Sequence, residues 1–152
     1  MRVFLDTSVL VAAFYGDHEQ HEPSLALLAE QTTSTGFTGA HCLAEVYSVL
    51  TGMPGKDRVS PHEVLLFLGD VRQRLSPIAL DETDYFAVLE SAAAAAVAGG
   101  SIYDALVAHC ALKAKARTLY TWNARHFKRF GEQIAPLVRE PESSRSHAVH
   151  ER

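Results

Sequence analysis

The chain has 152 residues, 47% of them hydrophobic and 21% charged, enough for one ordinary globular domain with a core that folds unaided. A formal net charge of −4 argues against a general polyanion binder. No run of about eighteen apolar residues offers a membrane span, and no basic and apolar leader marks secretion, so a cytosolic protein without membrane association is expected.

Val3 to Leu5 is an apolar run too short for a helix, and the following "DTSVLVAAF" opens with capping residues before an apolar stretch. A strand therefore leads straight into a helix. After the polar "GDHEQHE", "EPSLALLAE" predicts a second helix, and "STGFTG" a short strand interrupted by glycines. "AHCLAEVYSVL" sets Leu43, Val46, Tyr47 and Leu50 on one helical stripe, ended by "GMPGKDR". "SPHEVLLFLGDVRQRL" has Ser60 as N-cap, Pro61 in the first turn and Glu63 three residues after the cap, the pattern of a capping box.

"SPIAL" reads as a strand, and "DETDYFAVLESAAAAAVAGG" as a helix that starts at Asp81 and runs to the paired glycines. "SIYDALVAHCALKAKA" repeats the helical pattern, "RTLYTWN" is a strand, and "IAPLV" a last short one. From Arg139 onward, "REPESSRSHAVHER" lacks apolar periodicity and is expected to be a disordered tail over 139–152, leaving 1–138 as the folded domain. Cys42 and Cys110 match no ligand or redox spacing and read as small buried hydrophobes.

Strands alternating with helices imply βαβ crossovers and a parallel sheet covered on both faces. In such sheets ligands bind beyond the carboxyl ends of the strands, where the strand order reverses. Asp6 follows the first strand directly and belongs at that edge. It reads either as a helix cap or as a functional carboxylate, and the second reading is stronger because Thr7 and Ser8 cap equally well.

Glu45 lies beside the apolar stripe of its helix and reads as a half-buried acid or as one reaching water past its own stem. Asp104 is open to the reading of a capping box with Ser101 as N-cap. Asn123 ends its strand much as Asp6 does, or is a turn residue. If Asp6, Glu45 and Asp104 converge on one crevice, their mutual repulsion calls for a cation. Oxygen ligands without a cysteine or histidine cluster favour Mg²⁺ or Mn²⁺, whose remaining coordination usually goes to water and phosphate, so a phosphodiester substrate is expected.

At these four positions the sequence resembles the PIN-domain ribonucleases, in particular the VapC-type toxins of bacterial toxin–antitoxin pairs. The matching pieces, in order, are "FLDTSVLVAAF", "CLAEVYSVLT" followed by "MPGKDRVSP", and "SIYDALVAHCALKAKARTLYTWNARHF", and the similarity runs over about residues 1 to 138. The resemblance implies a PIN-like α/β/α sandwich with a short central parallel sheet flanked by helices. It implies a metal held by Asp6, Glu45 and Asp104, a fourth polar position at Asn123, and help from Thr7 or Ser8 in orienting the first carboxylate. Many members carry an aspartate where Asn123 stands. The implied activity is metal-assisted hydrolysis of single-stranded or looped RNA by in-line attack, leaving a 5′-phosphate, in a homodimer restrained by a VapB-type antitoxin.

Residues 101–130 carry Lys113, Lys115, Arg117, Arg125, Lys128 and Arg129 against the single acid Asp104. This basic run reads as a solvated helix face or a phosphate-tracking patch. Arg125 and Lys128 are the candidate phosphate clamps, with Lys56 and Arg58 as possible backbone contacts in the glycine-flanked loop. His18 and His21 read as solvent-facing, His126 as packing under the strand, and Trp122 and Tyr103 as core residues rather than base-stacking platforms. A covalent phosphohydrolase of the haloacid-dehalogenase type is disfavoured, because it wants an aspartate where Ser8 stands. A housekeeping RNA-processing nuclease and a noncatalytic RNA- or protein-binding domain are the alternatives to the toxin.

Overall fold

The computed structural model describes residues 1–142. Five short strands, β1 (Val3–Leu5), β2 (Gly36–Gly39), β3 (Ser76–Ile78), β4 (Thr118–Tyr120) and β5 (Val138–Arg139), form one sheet in the order β3-β2-β1-β4-β5. All four pairings are parallel. The helices are α1 (Thr7–Phe14), α2 (His21–Ala29), α3 (Ala40–Thr51), α4 (Pro61–Arg74), α5 (Glu82–Ala94), α6 (Ser101–Lys113) and α7 (Ala124–Lys128). None among the described residues is long and apolar enough to cross a membrane.

The central strand explains the sandwich. Val3 and Leu5 point to one face, where they join Val9 and Leu10 of α1, Leu28 of α2, Val46 and Leu50 of α3 and Val64 of α4. Phe4 points to the other and meets Val107 and Ala111 of α6, Leu119 of β4 and Phe127 of α7. A three-residue strand buried on both faces has to be apolar throughout, which is why β1 shows no alternation. The α/β/α sandwich expected from the sequence is thus observed.

Gly36 has a steric reason to be glycine. A Cβ there would lie 2.5 Å from the Leu75 side chain and 2.7 Å from Cβ of Gln31. The Ser60 hydroxyl accepts the Glu63 N–H at 3.3 Å, one half of the expected capping box, and Asp81 and Asp84 form a reciprocal capping box at the start of α5. Asp84 also receives Lys113 Nζ at 2.7 Å and pairs with His109 Nε2 at 3.0 Å, clasping α5 to α6. Hydrogen bonds from the Lys113 ammonium foremost, then the Asp81 amide and the His109 ring, hold its carboxyl well below the ordinary range.

Several boundaries differ from the sequence reading. Helix α5 stops at Ala94, before the paired glycines, because Ala96 takes φ 55° and closes a Schellman turn: its N–H reaches Ala93 O and the Val97 N–H reaches Ala92 O. Helix α6 ends in the same way on Lys115 (φ 56°). On α3, Val46 and Leu50 are fully buried, but Tyr47 is exposed and Cys42 takes its place in the core. "IAPLV" forms a 3-10 turn, Ala135–Leu137, before β5.

The fold also runs past residue 138. Arg139 pairs with Tyr120 in β5, its carbonyl accepts the Thr121 N–H, and Pro141 is buried, so the expected tail does not begin at Arg139. The rest of that expected tail, 143–152, lies outside the described residues.

A left-handed alanine is strained by about 1–2 kcal/mol, which glycine escapes at some loss of chain entropy on folding. Ala96→Gly should therefore stabilise the protein by about 0.5–1 kcal/mol. Chemical denaturation at neutral pH measures this, with a raised midpoint and an unchanged slope as the expected result.

Candidate active site

The chain leaves β1 to one side for β2 and β3 and returns to the other side for β4 and β5, so the order reverses between β1 and β4. Asp6 sits at the carboxyl end of β1 at that point, 5% exposed. It occupies the N-cap position of α1, yet its side chain makes no capping hydrogen bond. Its Oδ2 instead accepts from the Thr121 hydroxyl at 2.8 Å and the Ser8 hydroxyl at 3.1 Å. The capping explanation for Asp6 therefore fails.

The two hydroxyls are themselves fixed. Ser8 Oγ accepts the Trp122 N–H at 3.0 Å, and Thr121 Oγ1 accepts the Asn123 N–H at 3.0 Å. With those lone pairs engaged by backbone amides, each hydroxyl proton is free to serve the carboxylate. Burial pushes the Asp6 carboxyl upward from its ordinary value. The Thr121 and Ser8 hydroxyls and the Thr7 backbone pull it back, and the charge of Glu45 raises it again.

Glu45 projects from α3, its side chain 40% exposed, and its Oε2 accepts the Thr7 hydroxyl at 2.9 Å. The expected help from Thr7 and Ser8 is thus divided: Ser8 steadies Asp6, while the Thr7 hydroxyl steadies Glu45. His41, one turn before Glu45, has its Nε2 4.0 Å from Oε1. Burial lowers its pKa, and that nitrogen has no hydrogen-bond partner among the described residues. Cys42, also nearby, is pushed up to about 12, chiefly by burial, and is an inert thiol.

Asp104 departs from its capping reading. Helix α6 starts at Ser101 itself, with Gly100 at the N-cap and no side-chain cap, so the Ser101–Asp104 box does not form. Asp104 turns to the end of α7 instead, where Oδ2 lies 3.6 Å from His126 Nδ1 and 3.8 Å from Arg129. Asn123 is exposed at the head of α7 and makes no side-chain cap. Among the described residues, no three acidic, histidine or cysteine side chains are grouped closely enough to hold an ion by themselves.

Arg125 and Lys128 are exposed on α7. The histidine reading for His126 changes: its side chain is 59% exposed beside Asp104 rather than packed. Tyr103 likewise is 61% exposed and not a core residue, whereas Trp122 is half-buried with its indole N–H on Ser24 Oγ. His18 accepts the Gln20 N–H and is exposed; His21 is half-buried with Nδ1 on Ala12 O. Arg58 donates to Met53 O and Lys56 is exposed in the same loop. Thr121 and Arg129 were not singled out from the sequence. Thr121 carried a faint signal, a hydroxyl directly after a strand; Arg129 was one cation in a basic run.

Residues 3–133 match the PIN domain, and the chain belongs to that family. Ribonuclease VapC40 of Mycobacterium tuberculosis is 39% identical over 114 residues, 75% of this chain and 81% of that protein. Ribonuclease VapC27 of the same species is 31% identical over 121 residues, covering 80% and 84%. Within the family the chain is therefore of the VapC type.

The fold is shared with solved structures. VapC20 of M. tuberculosis, described as a sarcin-ricin loop cleaving toxin, superposes with TM-score 0.65 at 16% identity over 82% of this chain and 92% of that one. VapBC2 of Rickettsia felis, bound to a DNA fragment from its promoter, gives 0.64 at 21% identity over 93% and 100%.

The raised carboxyl of Asp6 makes a stability prediction. An aspartate ionises near 3.8 in the unfolded chain and higher in the fold. Between those values the folded protein holds a proton that the unfolded chain has lost, so stability falls as pH rises through the window. Asp6→Asn keeps the acceptor oxygen without the charge. In chelator, its melting temperature should exceed that of the wild type at pH 7, with the gap closing as pH falls toward 3.8; a gap that is absent or reversed at pH 7 would contradict this account of the site.

Proposed function

We propose that the chain is an endoribonuclease toxin that uses Mg²⁺ or Mn²⁺ and is restrained by a cognate VapB-type antitoxin. The observation that carries this reading is the buried, pKa-raised Asp6 at the sheet's reversal point, held by Ser8 and Thr121 and facing the charge of Glu45. An ionised group in that place is stabilised by a cation. All the donors are oxygens, which suits a hard divalent ion of the kind that binds one or two carboxylates and completes its shell with water and phosphate.

Asp6, Glu45 and Asp104 would hold the ion partly through its water shell rather than as a direct three-ligand cluster, and Asn123 would offer an amide oxygen or bind an ion-held water. When bound, the ion supplies a water of lowered pKa and a polarised phosphate. Ser8 and Thr121 fix the direction of the Asp6 carboxylate, and Thr7 fixes that of Glu45, whose Oε1 remains toward His41 and solvent. His41 Nε2 is a further polar atom for that water shell. Arg125 and Lys128, exposed on α7, would contact RNA phosphates.

The names of the curated relatives support ribonuclease activity, and the toxin–antitoxin setting of the structural neighbours supports an antitoxin partner. An antitoxin segment that places a cation among Asp6, Glu45 and Asp104 would replace the metal's charge and block substrate. A noncatalytic RNA-binding role is the second reading, favoured by Asn123 in the fourth position and by the absence of a ready three-ligand cluster among the described residues.

Cleavage of an RNA panel in Mg²⁺, Mn²⁺ or chelator separates the two. Cutting should require the ion. Asp6→Asn should lose more than about 100-fold and Thr121→Val about 10–100-fold, the range for a group that orients a metal ligand. Binding without cutting in every metal would establish the second reading, and equal cutting by wild type and Asp6→Asn would place the chemistry elsewhere.

A further inference from the structure

We infer that the groove beside Arg129 is a subsite for one unstacked nucleobase of the RNA, with Arg129 on the adjoining phosphate. The inference deepens the nuclease reading above and rests on it for the identity of the substrate. The groove, about 720 Å³, runs between α5, α6 and the turn at 129–134. Its floor is apolar: Val88 and Ala92 of α5, Ala108 of α6 and Ile134 are all buried. The volume is in the range of sites that take a small ligand and is ample for a base with its ribose.

The rim decides what kind of ligand suits the groove. Ser91, Ser101, His109 and Gln133 line it with hydroxyl, imidazole and amide groups. The Ser101 hydroxyl caps no helix, and Ser91 and Gln133 are exposed, so these groups are open to a ligand. An apolar side chain of a protein partner would use the floor and leave the rim unpaired. A nucleobase uses both, since its faces are apolar and its edge carries donors and acceptors. One end of the groove is charged. Arg129 lines it and also lies 3.8 Å from Asp104 Oδ2, so the groove adjoins the candidate active site. The guanidinium is held by its Nε, which donates to His126 O at 3.0 Å, and by the Phe130 ring, 5.3 Å away, which lines the groove too. The gap to Asp104 is too long for a hydrogen bond, so the terminal nitrogen there keeps its donors for a phosphate. Base and phosphate side by side suit single-stranded or looped RNA, whose bases are free to turn outward.

The test uses mononucleotides, which contain no phosphodiester to cut, on the full chain in chelator. Adenosine and uridine 5′-monophosphates at millimolar concentration should shift the backbone amide resonances of Ser101, Ala105 and Gln133, all of which line the groove. Ribose 5-phosphate, which lacks the base, should leave those three in place. Ala105→Leu puts a larger side chain on the groove wall at a half-buried position. It should abolish the shifts at Ser101 and Gln133 and weaken binding of a single-stranded RNA by about 10-fold, the loss of one bound base, without changing the salt dependence. Arg129→Gln should instead reduce the slope of log affinity against log salt by about 0.7, one phosphate contact on a single strand.

Groove resonances unmoved by either nucleotide would overturn the subsite and leave the groove to a protein partner. Equal shifts from the nucleotides and from ribose 5-phosphate would overturn base recognition. Unchanged RNA affinity in Ala105→Leu, whose amide spectrum reports its folding, would overturn the use of the groove by RNA, and an unchanged slope in Arg129→Gln would overturn the phosphate contact alone. Groove shifts in a chain that cuts no RNA in any metal would sink the nuclease reading and leave a nucleotide site standing; cutting without groove shifts would do the reverse.

Discussion

A carboxylate buried at the end of the central strand sets the constraint around which the rest of this protein is arranged. Desolvation raises the free energy of ionised Asp6, and the fold answers with two hydroxyls from different segments, Ser8 from α1 and Thr121 from the end of β4. Because each hydroxyl is anchored by a backbone amide of the 122–123 loop, the charge is tied to the joint between two strands 115 positions apart in sequence. The parallel pairing of β1 with β4 is thus supported by hydrogen bonds at the site as well as by the ladder itself.

The sandwich makes such a site possible. Strands of two to four residues give the sheet little depth, and helices on both faces exclude water from its centre while leaving its carboxyl edge open. Helices α1 and α3 both start at that edge, which brings Thr7 within hydrogen-bonding distance of Glu45 across 38 residues. The α7 end brings His126 and Arg129 against Asp104. The three acids are therefore not equivalent: Asp6 is held by hydroxyls, Glu45 by one hydroxyl near a neutral histidine, and Asp104 lies beside His126 and Arg129 without a hydrogen bond from either.

Much of the architecture was legible along the chain because its signals are local. Apolar runs ending in capping residues gave β1 and α1, and Ser60 and Asp81 start their helices as their side chains indicate. Where a local signal had a stronger tertiary competitor, it failed. Ser101 and Asp104 have the spacing of a capping box, but α6 begins at Ser101 itself, leaving the hydroxyl inside the first turn and Asp104 turned to His126 and Arg129 at the end of α7. The paired glycines at 99 and 100 looked like a helix stop, but Schellman hydrogen bonds closed α5 earlier on an alanine. Tyr47 follows the helical period and is nonetheless exposed, since Cys42 fills the core beside β2.

The sequence by itself determined the fold class, the parallel sheet and the placement of Asp6 at a strand end, since each follows from short-range pattern and chain connectivity; Asn123, expected at the end of its strand, instead lies beyond Tyr120, where β4 stops, at the head of α7. Only the tertiary structure decided which groups satisfy which. Thr121 as the partner of Asp6, Thr7 as the partner of Glu45 and Arg129 as the neighbour of Asp104 all depend on distances between segments far apart in the chain. Hydrogen bonds and charge pairs act over a few ångströms of space, and no spacing along the sequence encodes them until the strands have paired and the helices have packed.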